Sequence, residues 1–181
     1  MPGTLTIILI VLAVIVVVFI AIVMMQPSDF RVTRSTAISA PASAVFAQVN
    51  DFHNWQAWSP WAKLDPLATN TFAGAPAGTG AIFTWVGNKN VGEGTMTMTE
   101  SRPNDLIRIK LEFRKPFKAT NAAEFNFKPE RNQTVVIWSM SGQKIFIVKA
   151  IGLFMSMDKM VGGQFEQGLA NMKAVVEGAR K

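Results

Sequence analysis

Residues 157–177 read MDKMVGGQFEQGLANMKAVVE, and the spacing of their apolar members decides the fold. Met157, Val161, Phe165, Leu169, Met172 and Val176 recur at steps of three or four, which marks one face of a long amphipathic helix. Asp158, Gln164, Glu166, Gln167, Asn171, Lys173 and Glu177 take the other faces. At roughly 1.5–3 kcal/mol per fully buried large side chain, such a stripe has to lie on an apolar surface. Gly162, Gly163 and Gly168 interrupt the helix at roughly 1 kcal/mol each relative to alanine. Close packing of these glycines on a sheet, Gly163 included, would compensate; a hinge at Gly162 and Gly163 that admits a ligand is the functional alternative.

The chain upstream supplies the sheet. Ile107, Ile109, Leu111 and Phe113 alternate with Arg108, Lys110 and Glu112, the pattern of an antiparallel strand with one apolar and one wet face. Phe30 to Ser39, Ala81 to Val86, Val91 to Thr99, Lys118 to Phe127 and Thr134 to Met140 read similarly, with Gly87-Asn88-Lys89-Asn90 as a hairpin turn. Lys144 to Lys149 (KIFIVK) reads as one more strand or as the lead into the final helix. Pro41 with Val45, Phe46 and Val49 predicts a short helix to Asn50, and a second helical piece spans Phe52 to Trp61. Asp65 to Gly80, rich in glycine and proline, reads as loop. The order is therefore α+β: a curved antiparallel sheet of six to seven strands around a long C-terminal helix.

At the other end, Leu5 to Met25 (LTIILIVLAVIVVVFIAIVMM) contains one polar residue, Thr6, and as a helix reaches roughly 30 Å, the thickness of a bilayer core. A cleaved signal peptide would need a basic leader, a shorter apolar run and a small-x-small site, and none of these is present. Residues 1–28 are thus expected to form a transmembrane anchor, helical over about 5–25, with a short tether, and residues 29–181 one soluble domain. Arg31 and Arg34 follow the span, so the positive-inside rule puts that domain in the cytoplasm.

Composition narrows the chemistry. All 18 Lys plus Arg and 12 Asp plus Glu follow residue 28 and give a net charge of +6. Absence of cysteine excludes thiolate chemistry and Cys-ligated metals, and a single histidine excludes a His-pair metal site. No phosphate loop, serine elbow or nucleic-acid module is present, so no cofactor, metal or nucleic-acid partner is expected. Arg114, Lys115 and Lys118 form the one tight basic group, which suits an anionic membrane surface. Oligomeric state is not readable.

The segment Arg34-Ser35-Thr36-Ala37-Ile38-Ser39-Ala40-Pro41 with Val45-Phe46 is followed by Asp51-Phe52-His53-Asn54-Trp55-Gln56-Ala57-Trp58-Ser59-Pro60-Trp61. Gly78-x-Gly80-Ala81, Trp85, Gly92-Glu93-Gly94 and Phe165-Glu166-x-Gly168-Leu169-Ala170-Asn171-Met172-Lys173 come later in the same order. Together these motifs resemble the polyketide cyclase/dehydrase family of the START-like (SRPBCC) superfamily over about Phe30 to Gly178. The resemblance implies a helix-grip fold with a hydrophobic cavity between the sheet and the long helix, for a lipid or another apolar small molecule. It carries over no catalytic residue set.

Candidate residues follow. Trp55, Trp58 and Trp61 are either core, the wall or portal of the cavity, or a belt at the membrane interface. Trp85, Met157, Val161, Phe165 and Leu169 are the other expected lining residues. His53 is a surface or capping residue or a general base, and Glu93, between two glycines, is a bulge residue or a carboxylate facing a ligand. Three functions stay open: a membrane-anchored binder of an apolar molecule, a cyclase- or dehydratase-like enzyme using Glu93 and His53, and a regulatory or stress-related interaction protein whose cavity is filled by side chains.

Overall fold

The computed structural model describes residues 3–179, so residues 1, 2, 180 and 181 of the two expected regions lie outside the described residues. An N-terminal helix α1 (Thr4–Met25) leads into strand β1 (Asp29–Ile38), helix α2 (Ala42–Asn50), a 3-10 turn (Phe52–Asn54) and the short helices α3 (Trp55–Trp58) and α4 (Pro60–Leu64). Strands β2 (Thr69–Gly74), β3 (Ala81–Val86), β4 (Glu93–Arg102), β5 (Leu106–Lys115), β6 (Ala119–Glu130) and β7 (Gln133–Gln143) follow. Helices α5 (Phe146–Gly152) and α6 (Met157–Gly178) close the chain. The strands form one antiparallel sheet in the order β1-β7-β6-β5-β4-β3-β2, so β1 and β2 are its edges. This is the helix-grip-like α+β arrangement that the periodicity of α6 required.

The apolar stripe of α6 buries Phe165, Leu169, Met172 and Val176 over β1 and against α3 and α4. The sheet alternates as its sequence demands: Val32, Met140, Ala123, Ile109 and Met98 point inward from five successive strands, while Arg108, Lys110 and Glu124 point out. α2 covers the inner face at β6 and β7, and the 3-10 turn covers it at β3.

Three local expectations need correction. Residues 65–80 are not wholly loop, because Thr69–Gly74 pairs with β3. As an edge strand with almost no buried position it has no apolar alternation by which to be recognised. The strand reading of Lys144 to Lys149 falls and the lead into the final helix stands: α5 begins at Phe146 and precedes α6, and β7 already has partners on both sides. The helical piece from Phe52 to Trp61 is broken at Ser59, whose extended backbone before Pro60 follows from the restriction proline places on its predecessor.

α1 is long and apolar enough to span a membrane, and almost all of it is exposed. Its exception is Val23, buried in the last turns, which run beside α5.

Candidate functional site: the inner face of the sheet

Two halves of the inner face differ in what fills them. Beneath α6 the space is packed with rings. Trp138 of β7 stacks on Phe165 of α6 at 4.0 Å and 7°, and on Phe125 of β6 at 4.8 Å and 24°. Trp58 and Trp61 meet Trp138 edge-on at 5.7 and 5.9 Å, and Trp55 meets Trp58 and Phe125. The indole N–H groups of Trp55 and Trp58 donate to the carbonyls of Val49 and Gln48, which fixes α3 to the end of α2. Two of the three helix glycines serve this packing. A Cβ at Gly168 would press into Trp138 and Pro60, and a Cβ at Gly162 would overlap the Arg34 guanidinium.

Arg34 explains the approach at Gly162. It donates to Asp158 at 2.8 and 2.9 Å and to Glu166 at 2.5 Å, carboxylates one turn either side of Gly162. The hydrogen bond from Arg34 holds the Asp158 carboxyl below the usual carboxylate range, and the two acids push the guanidinium above its own. Gly163 was expected on the sheet side, but a Cβ there would meet nothing within 4 Å, so the close contact belongs to Gly162. The helix runs unbroken through both.

Away from α6 the inner face is less fully covered. The register places Phe30, Gly142, Asn121, Leu111, Met96, Phe83 and Phe72 in one row that crosses all seven strands. Phe30, Phe83, Leu111 and the neighbouring Phe113 are only half-buried, as are Met157 and Val161 on the first turns of α6. Trp85 closes one side, ring to ring with Phe83 and Phe113, and donates to the Val91 carbonyl at 3.2 Å. Glycine at 142 removes a side chain from the middle of the row. Over it lies the Asn121 amide, whose Oδ1 is buried with no hydrogen-bond partner while its Nδ2 finds only the Met140 sulfur at 3.9 Å. A buried amide oxygen without a donor costs about 1–3 kcal/mol. This half-buried apolar row around one unsatisfied amide oxygen, termed the trough, has the chemistry to suit a mostly apolar molecule that carries one donor.

The expected lining residues therefore divide. Trp55, Trp58, Phe165 and Leu169 are buried in the packed half with Trp61 at its margin, whereas Trp85 meets Phe83 of the row, and Met157 and Val161 are half-buried on the first turns of α6. Neither acid/base candidate lies in the row. His53 stacks on Phe72 at 4.0 Å and its Nδ1 lies 2.7 Å from Asp51 at the sheet's β2 edge. Glu93 precedes the inward Gly94 and accepts from Lys115 at 2.5 Å. Asn121 and Trp138 escaped the sequence reading, although extending the Ala123, Phe125, Phe127 alternation back one step reaches Asn121.

Two recesses can be compared with the trough. One of about 640 Å³ is bordered by Phe30, Asn121 and Gly142 of the row together with Thr99, Arg108, Lys110, Thr120 and Ser141, which point to the outer face. There Arg108 is tied to Glu100 and Glu124, and hydrogen bonds from Asn126 and Arg108 hold the Glu124 carboxyl below its usual range. The second, about 200 Å³, lies between His53, Phe72 and Pro76. Among the described residues no group of three or more histidines and carboxylates could hold a metal.

A family model described as polyketide cyclase/dehydrase and lipid transport matches residues 29–177. No curated protein matches the sequence. Solved structures share the fold at low identity. A protein of unknown function from Staphylococcus aureus is similar at 9% identity with a TM-score of 0.62, covering 84% of this chain and 96% of its own. A protein from Chromobacterium violaceum is 15% identical with a TM-score of 0.57, over 83% and 99%. The Aha1 dimer from Colwellia psychrerythraea is 16% identical with a TM-score of 0.56, over 82% and 96%.

Proposed function

The chain belongs to the polyketide cyclase/dehydrase and lipid transport family, and on that premise we propose that it is a membrane-anchored, START-like binder of a lipid or another apolar small molecule. The observation that carries this reading is the row across the sheet: half-buried apolar side chains around the unpaired Asn121 amide. The ligand's apolar body would lie against Leu111, Phe113, Phe83 and Trp85, with a hydroxyl or other donor on Asn121 Oδ1. α1 would hold the domain at the bilayer, on the cytoplasmic side if the positive-inside rule governs it. Glu93 is tied to Lys115 and His53 to Asp51, His53 reaching the row only through its stack on Phe72 of the edge strand, which favours binding over acid/base catalysis.

The test uses the domain without α1, since the family match begins at residue 29 and whole solved proteins consist of this fold alone. A detergent-free preparation is titrated with a dibrominated fatty acid while tryptophan fluorescence is recorded. Saturable quenching that falls most in Trp85→Phe is expected. Quenching that never saturates, or that Trp85→Phe leaves intact, would contradict the trough.

A second reading has its own support. The Trp138–Phe165 stack fills the middle of the grip, as a regulatory interaction protein with a filled cavity would have it. The same titration, showing no quenching at all, would favour it.

A further inference from the structure

The antiparallel register sorts the loops by end. β1 starts, β3 ends, β4 starts, β5 ends and β7 ends at the same end of the sheet, and α1 enters there through Gln26, Pro27 and Ser28. The amide of Lys144 donates to the Ser28 carbonyl at 2.7 Å, so α5 begins at the foot of α1 and runs beside its last turns. Phe30, Phe113 and Trp85 of the trough lie toward the same end.

Two properties of this end fit one occupant. Its apolar side chains are exposed: Phe146, Ile147 and Ile151 on α5, Phe154 and Met155 just after it, and Phe117 on the β5–β6 loop. Phe154 is 85% exposed, a poor position for a phenylalanine in water. Residues 87–92, 116–118 and 144–155 contain Lys89, Lys118, Lys144 and Lys149 and no carboxylate, while the carboxylates at this end, Asp29, Asp65 and Glu93, accept from Gln143, the Asn88 amide and Lys115. Among the described residues none of these four lysines is in an ion pair. Apolar side chains ringed by unpaired lysines, level with the end of a helix able to span a bilayer, match an anionic lipid surface in both hydrophobicity and charge.

We infer that this end of the domain rests in the lipid headgroup region, with α5 and Phe154 inserted as an interfacial element, so that the trough opens directly onto the bilayer from which its ligand is drawn. The inference rests on reading α1 as a membrane span. α5 then sits at headgroup depth because Val23, two residues from the end of α1, is buried where α1 runs beside it.

The full chain has no cysteine, so single nitroxide labels report one site each. Labels at Val14→Cys, Phe154→Cys and Asn132→Cys, the last exposed on the β6–β7 turn at the far end of the sheet, are compared in vesicles of zwitterionic lipid with and without an anionic lipid. Relaxation by oxygen is set against relaxation by a water-soluble nickel complex. Positions 14 and 154 are expected to favour oxygen, 154 more strongly with anionic lipid, and position 132 to favour nickel. Nickel accessibility at 154 equal to that at 132, with 14 in lipid, would overturn the inference and leave the span intact. Protection of 154 from both reagents would overturn it in favour of a protein contact. Nickel accessibility at 14 would remove the span and the inference with it.

Discussion

The half of the inner face under α6 and the half under β3–β5 are built from the same kinds of residue, yet one is closed and the other open. In the closed half every ring has a ring partner, and Arg34 locks the first turns of α6 to β1 through Asp158 and Glu166. In the open half phenylalanine and leucine side chains stand half-buried around Gly142, and a buried amide oxygen lacks a donor. The closed half has an orphan of its own in the Trp138 indole N–H, so it is the half-buried apolar row, and not the unpaired polar atom alone, that sets the open half apart from a normally dense interior.

The contrast can be broken most forcefully in the closed half. Phe165→Ala should cost about 3–5 kcal/mol in denaturant unfolding, because it leaves Trp138 and Trp61 facing a cavity. Leu111→Ala removes a side chain that is already half wet; about 1 kcal/mol is expected there, with a much larger loss of fatty-acid quenching. A Leu111 effect on stability as large as that of Phe165 would erase the distinction between the halves.

Asn121→Leu sharpens it further. Replacing an unpaired buried amide by a side chain of similar size should leave the domain as stable or more stable by about 1 kcal/mol, while weakening a ligand that carries a donor. Destabilisation by more than that would mean the amide serves the fold.

Acid separates the halves more weakly. The Asp158 carboxyl, held down by Arg34, contributes stability that is present above its ordinary value of about 4 and is lost as pH falls through its lowered one. Glu124, held down by Asn126 and then Arg108, acts in the same direction. Stability measured below about pH 4 should therefore fall less steeply in Arg34→Gln than in the parent chain. The smallest effects are expected for His53→Asn and Glu93→Gln, each within about 0.5 kcal/mol and without influence on quenching.

Much of the fold could be read from period alone. Six apolar positions at helical spacing gave α6, and the Ile107 to Phe113 alternation gave β5 and its faces. β2 escaped because an edge strand exposed on both sides carries no alternation, and α5 because KIFIVK is apolar in either parity. The site was harder to read. Trp85, Met157 and Val161 were legible as large apolar residues, but which of the tryptophans pack together under α6 depends on register. Trp138 sits inside TVVIWSM and looks like any strand residue, and Asn121 gains meaning only when Gly142 is found across from it.

The central claim, that the open half holds an apolar molecule, is tested most directly by native mass spectrometry of residues 29–181 purified without detergent, beside the Leu111→Arg variant. The expected result is a stoichiometric lipid-sized adduct on the parent domain that is absent from the variant. A bare mass in both, persisting after incubation with mixed lipids, or an adduct retained in full by the variant, would contradict it.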